Sequence, residues 1–225
     1  MGEQNRHITF EDIQQSGEIR AYIEQADLAL RTMGFTEHAF AHVTRAAHLA
    51  SDILTRLGYP ERTCELAKIA GYMHDIGNVV NRVDHAQSGA IMSFRILDNM
   101  GMPAEEVAQI ISAIGNHDES TAVPVSPMSA ALILADKSDV RRSRVRNPDP
   151  STFDIHDRVN YSVTESSLEL HPEERYVRLD ISIDTSVVPV MSYFEIFLGR
   201  MILCQKAADF LGIQFQLAIN GARIL

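Results

Sequence analysis

The stretch Gly71-Tyr72-Met73-His74-Asp75-Ile76-Gly77-Asn78 places an imidazole and a carboxylate side by side at the end of an apolar helical run, followed by a glycine. Adjacent residues on a helix point about 100° apart. Both side chains can therefore serve one site only if it lies over the helix end and is wide. A pair of metal ions meets both conditions, and neutral imidazole and carboxylate are ordinary ligands for zinc, iron and manganese. The doublet alone says little; its meaning depends on what the rest of the chain brings to it.

Before the doublet, Pro60 and Glu61 open the helix that carries Cys64, Leu66, Ala67, Ile69, Ala70 and Met73. An earlier helix has Thr36 as its expected N-cap and runs to Leu57, with the stripe Val43, Ala46, Ala47, Ala50, Ile53, Leu54 and Leu57. His42 sits at the edge of that stripe, one turn before Ala46. Glu18 to Met33 reads as another helix ended by Gly34, and residues 1–16 as a polar arm or short helix. After the doublet come a polar loop over 78–84, a helix from His85 to Met100, and a break at Gly101 and Pro103. A helix from Ala104 to Ile114 then stops at Gly115-Asn116-His117-Asp118. The next is expected from Met128 to about Ser143, carrying Ala135-Asp136-Lys137-Ser138-Asp139.

Beyond Asn147-Pro148-Asp149-Pro150 the pattern changes. Residues 159–170 and 175–183 alternate apolar with polar and read as strands. Residues 191–211 read as a helix that is largely buried, and 213–219 as a last strand. The expected fold is mainly α: a helical bundle over 1–147 with a small ββαβ appendage over 148–225.

The 225 residues, 45% hydrophobic and 22% charged, suffice to bury a core. A formal net charge of −10 argues against general affinity for nucleic acid or an anionic membrane. Cys64 and Cys204 form no CxxC and read as buried, reduced thiols. No apolar run reaches 18 residues, and the first residues lack the apolar core of a signal peptide. Met1-Gly2 resembles a myristoylation start, but Arg6 stands where Ser or Thr is needed. A cytoplasmic location is expected.

The metal ligands able to face inward are His42, His74, Asp75, His85, His117 and Asp136, spread over five segments and each near a helix end or a core-facing edge. A bundle can bring such positions to one centre. Six is too many for a structural zinc, which closes with four. The set suits two divalent metal ions bridged by Asp75. His7, His38, His48, His156 and His171 read as surface or hydrogen-bonding residues.

The order His42 … His74-Asp75 … Asp136 resembles the HD superfamily of metal-dependent phosphohydrolases, over roughly residues 36–146. The extra histidines in Asp84-His85-Ala86-Gln87-Ser88-Gly89-Ala90 and Ile114-Gly115-Asn116-His117 resemble its five-segment, binuclear form. Leu134-Ala135-Asp136 followed by basic residues is nearest to the HD-type dinucleoside tetraphosphate hydrolases. The HD-GYP cyclic dinucleotide phosphodiesterases add a second His after the one at 117 and a Gly-Tyr-Pro motif. This chain has Asp118 and no such motif. The appendage is not part of the family pattern.

The resemblance implies an HD-domain helical bundle that hydrolyses a phosphoester or phosphoanhydride of a nucleotide-like small molecule. Two metals would activate a water and neutralise phosphate oxygens. Which of Fe, Mn, Zn, Co or Ni is bound stays open. Asp75, Lys137 and Asp139 are the expected catalytic set, with Asp139 orienting a ligand or water. Lys137, Arg141, Arg142, Arg144 and Arg146 read either as a solvated helix end or as a phosphate clamp. Lys137 and Arg141, at i and i+4, are favoured for the clamp, with Arg142 and Arg144 beside them. Two alternatives remain: a non-catalytic metal- or nucleotide-binding sensor or scaffold, and a di-iron HD-type oxygenase. A homodimer through the small sheet is a further expectation.

Overall fold

The apolar stripe of the doublet's neighbouring helix decides the packing. Val43, Ala46, Ala47, Ala50, Ile53 and Leu54 are all buried, and they lie on one side of α3 (Phe40–Arg56). That side meets α4 (Glu61–Met73), whose Gly71 lets the two backbones touch. A Cβ at Gly71 would come within 2.7 Å of Ala47 Cα. The computed structural model describes residues 7–225, and the readings for residues 1–6 lie outside it.

Ahead of this pair come α1 (Phe10–Gln15) and α2 (Gly17–Thr32). The first has a capping box in which Thr9 and Asp12 satisfy each other's backbone N–H groups. After it come α5 (His85–Asn99), α6 (Ala104–Gly115) and α7 (Pro127–Lys137). All eleven residues of α7 except Pro127 are buried, so it is the central staff of the bundle, touching α3, α4 and α6.

The doublet's second half leaves the helix. His74 follows α4 directly, and Asp75 precedes a 3₁₀ turn over Ile76–Val79. A Cβ on Gly77 would overlap the backbone of His85 and Gly89, so only glycine lets this turn lie against the start of α5.

The chain then forms α8 (Ile155–Ser162), β1 (Val163–His171), β2 (Tyr176–Ile183), α9 (Val190–Phe210), β3 (Gln214–Ile219) and β4 (Ala222–Arg223). The sheet order is β1-β2-β3-β4; β2 and β3 are parallel and the other pairs antiparallel. The buried residues Val177, Leu179 and Ile181 of β2 stand in register with Phe215, Leu217 and Ile219 of β3, and α9 packs on both strands. Its other side lies on α7, which fastens the appendage to the bundle. The carbonyls of Leu170 and Ser166 on β1 accept from Arg56 and Arg45 of α3.

The architecture is mainly α with a C-terminal sheet, as the sequence indicates. Three local expectations need correction. Thr36 is not an N-cap: α3 begins at Phe40, because the backbone of 37–39 bonds elsewhere, Glu37 N to Arg144 O and His38 N to Asp27. The helix over 128–143 ends at Lys137. The strand expected from 159 begins at Val163, because Asp154 caps a helix through Ser162. Cys64 and Cys204 are buried free thiols, and among the described residues no helix is long and apolar enough to cross a membrane.

Candidate metal centre

Each of the four histidines is oriented by what its Nδ1 meets. His74 Nδ1 donates to Gly71 O at 2.8 Å, His85 Nδ1 to Arg82 O at 3.0 Å, and His117 Nδ1 to Ile114 O at 2.6 Å. His42 Nδ1 donates to Asp139 Oδ2 at 2.7 Å. Carbonyl and carboxylate oxygens only accept, so each Nδ1 carries a proton and Nε2 is the nitrogen that faces the centre.

Those Nε2 atoms converge on two aspartates. Asp75 Oδ2 lies 3.6 Å from His42 Nε2 and 3.3 Å from His74 Nε2, while its Oδ1 lies 3.5 Å from His85 Nε2 and 3.9 Å from His117 Nε2. Asp136 Oδ1 completes the first side, 3.3 Å from His42 and 3.7 Å from His74. Two three-ligand groups result, His42/His74/Asp136 and His74/Asp75/His117. The carboxylate of Asp75 thus faces one histidine pair with each oxygen.

The donor set fits a divalent cation. His42 Nε2 and His74 Nε2 are fully buried and have no hydrogen-bond partner, a state that costs about 1–3 kcal/mol for each polar atom unless something else coordinates it. The electrostatics agree. Burial opposes charge at Asp75 and Asp136, yet His74 beside Asp75 and Lys137 beside Asp136 hold both carboxyls well below their ordinary range. Against burial, Asp75 and Asp136 carry His74 up to about 10. Burial and the neighbouring His74 push His117 down to about 3. The carboxylates thus draw positive charge to this point, as proton or as metal ion.

Of the other expected site residues, Asp139 braces His42, and its own carboxyl is held low, against burial, by His42 and Arg144. Lys137 is buried between Asp136 Oδ2 at 2.7 Å and Glu119 Oε2 at 2.6 Å; these partners outweigh burial and keep it protonated. The expected clamp is only partly assembled. With α7 ended at Lys137, Arg141 no longer shares a helix face with it; instead it pairs with Asp139 at 2.6 Å. Arg142 turns toward the appendage, 4.4 Å over the Tyr161 ring. Arg144 does reach the site, buried and donating to Asp139 O at 2.7 Å and Glu37 O at 2.9 Å.

Other residues at the site escaped the sequence reading. His38 makes the expected hydrogen bond, to Thr36 O, but its ring also stands 5.5 Å from that of His42. Arg82 lies 3.4 Å from His85 Nε2. Arg200 of α9 stacks on Phe197 at 4.5 Å and pairs with Glu119 at 2.9 Å. Its one legible signal is a lone cation inside the apolar run Phe194–Cys204.

The space enclosed by Asp75, His85, His117, Asp136 and Lys137 is about 10 Å³, the scale of a single water or ion. It is lined as well by His38, Arg82, Arg144 and Arg200, which also line an adjoining cavity of about 310 Å³. A more open groove of about 710 Å³ lies elsewhere, along α1, α3 and α4, and includes none of these ligands.

The core of this bundle ends in a buried cluster of four imidazoles and two carboxylates that could hold a metal ion. The HD domain family model matches residues 39–149, about half of the chain. The chain is similar to MJ1020, an uncharacterised protein of Methanocaldococcus jannaschii, at 23% identity over 185 residues, covering 72% of this chain and 69% of the relative. It is also similar to the crystal structure of a predicted HD superfamily hydrolase from an uncultured Thermotogales bacterium. That match has 28% identity and a TM-score of 0.44, and covers 55% of this chain and 67% of the other.

Proposed function

We propose that the protein is a metal-dependent phosphohydrolase that cleaves a phosphoester or phosphoanhydride bond of a small, nucleotide-like molecule. The observation that carries this reading is the convergence of four Nε2 atoms on Asp75 and Asp136, two of them buried without a partner. His42, His74 and Asp136 would hold one ion, and Asp75, His85 and His117 a second. When bound, such a pair lowers the pKa of water and screens phosphate charge.

The chain's own residues do the rest. Asp75 offers one oxygen to each half of the centre, which fixes their spacing. The Nδ1 bonds lock each imidazole in one tautomer and orientation. Lys137 occupies the second oxygen of Asp136, leaving Oδ1 for the histidine pair. Arg82, Arg144 and Arg200 are placed to receive a phosphate from the cavity side, where charge-assisted bonds are strongest.

Elemental analysis of protein purified without chelator, followed by release of inorganic phosphate from a phosphate-ester panel, tests the reading. About two metals per chain with turnover is the expected result. A chain that stays empty after incubation with manganese, iron and zinc overturns the ligand assignment. Tight metal with no turnover of any phosphate would favour a sensor or scaffold. Oxygen consumption would point to the oxygenase.

A further inference from the structure

The cavity beside the metal centre has two chemically distinct ends. At the inner end stand Arg82, Arg144 and Arg200, which also border the ion-sized space. The outer end is built by the appendage and by the end of α2. Asp154, Asp157 and Asn160 come from the start and body of α8 and Met33 from the end of α2, while Phe35 and Phe197 lie against Arg82 and Arg200. Asp157 is only 8% exposed, and its carboxylate has a single long hydrogen bond among the described residues, from Asn147 Nδ2 at 3.4 Å. Asn160 is 6% exposed; its Nδ2 donates to His156 O, so Oδ1 remains as an acceptor. Both side chains line the cavity, so these acceptors are open to a ligand that brings donors.

We propose that the appendage is the recognition wall of this site, and that the substrate is a single phosphomonoester of nucleoside-monophosphate size. Its phosphate lies at the three arginines. Its other end offers hydroxyl or amine donors to Asp157 and Asn160. The proposal rests on the phosphohydrolase reading.

Size and charge both select against a larger substrate. About 310 Å³ is the lower end of what ligand pockets enclose. A second phosphate at the outer end would meet the carboxylates of Asp154 and Asp157. This argues against the dinucleoside tetraphosphates that the motif resemblance brings to mind. In the reaction water adds to phosphorus, the P–O bond to the head group breaks, and the head group takes a proton and leaves as its alcohol. Inorganic phosphate remains.

The test is kcat/KM of the metal-loaded full chain on nucleoside 5′-monophosphates, on p-nitrophenyl phosphate and on diadenosine tetraphosphate. p-Nitrophenyl phosphate has a ring but no donor. The same measurements are made on Asp157→Asn and Asn160→Leu, with folding checked by circular dichroism. The wild type should prefer a monophosphate to the tetraphosphate by about a hundredfold or more, as charge repulsion and lost fit combine. Each variant should lower the ratio of monophosphate to p-nitrophenyl phosphate about tenfold, mainly through KM. The isosteric Asp157→Asn keeps the test open if Asn160→Leu does not fold. A preference for the tetraphosphate, or ratios unmoved in both variants, overturns the proposal and leaves the hydrolase reading standing. No turnover of any phosphate overturns the hydrolase reading itself.

Discussion

The metal centre and the cavity beside it are built in opposite ways. In the centre, three of the four histidines are oriented by a carbonyl three residues earlier in the chain: Gly71 for His74, Arg82 for His85 and Ile114 for His117. In the cavity, Arg82 donates to nearby Asn78, but the other two arginines are held by distant partners. Arg200 pairs with Glu119, 81 residues away, and Arg144 donates to Glu37 O, 107 residues away. The centre is therefore a set of local geometries that the bundle brings together, while the cavity exists only once the appendage is docked. The difference teaches where each kind of damage should appear. Injury to the centre should cost metal and chemistry; injury to the cavity should cost substrate handling with the metal retained.

The hardest test of that division is Asp75→Ala. Removing the Asp75 carboxylate should lower metal content sharply and activity by roughly a thousandfold or more, with far-UV circular dichroism nearly unchanged. Retained turnover would break the account of the centre. Next comes Gly77→Ala, which forces a Cβ into the backbone of His85 and Gly89. It should cost about 3 kcal/mol, lowering Tm by roughly 10 °C. The control Gly17→Ala meets nothing within 4 Å and should stay within about 0.5 kcal/mol of wild type.

On the cavity side, Arg200→Met should lower kcat/KM about a hundredfold while elemental analysis finds the metal still bound. Arg142→Ala, whose guanidinium lies over Tyr161, should change kcat/KM by less than about twofold. Equal losses in the two variants would erase the distinction between the cations that reach the site and those that do not. Asp139→Asn keeps the shape but weakens the brace on His42, and should reduce metal affinity about 10- to 100-fold in a chelator competition.

The smallest effect concerns pH. Glu119 links the two regions, because it pairs with both Lys137 and Arg200. Against burial, those cations hold its carboxyl well below the model-peptide value of 4.5. A group depressed in the folded state stabilises above its unfolded value and loses that contribution as pH falls. Thermal melts should therefore show a loss on the order of 1 kcal/mol below about pH 4.5, after allowance for solvent screening. Glu119→Gln should flatten that part of the profile.

The six converging side chains were legible for a physical reason. Each stands beside a helix end or stripe marked by glycine, proline or apolar spacing, so His42, His74, Asp75, His85, His117 and Asp136 could be listed before any tertiary contact was known. The errors occurred where local signals competed with distant ones. Thr36 has the chemistry of a cap, but the backbone of the next residues bonds to Arg144 and Asp27 instead. Residues 159–162 alternate like a strand, yet Asp154 caps them into α8. The basic cluster reads as one patch, and the end of α7 at Lys137 divides it: Arg144 goes inward, Arg141 to Asp139, and Arg142 to Tyr161.

By itself the sequence determined the helical body, the presence of strands in the C-terminal part, and the donor atoms available to a metal centre, because helix periodicity and ligand chemistry are properties of short stretches. Only the tertiary structure decided that Asp75 faces two histidine pairs with its two oxygens. It also decided that Arg200 arrives from α9 and that Asp157 and Asn160 stand at the far end of the cavity. Those facts depend on the angle at which α9 and α8 settle on the bundle. That angle is set by the packing of α9 between the sheet and α7, a sum over many distant contacts that no single stretch of sequence records.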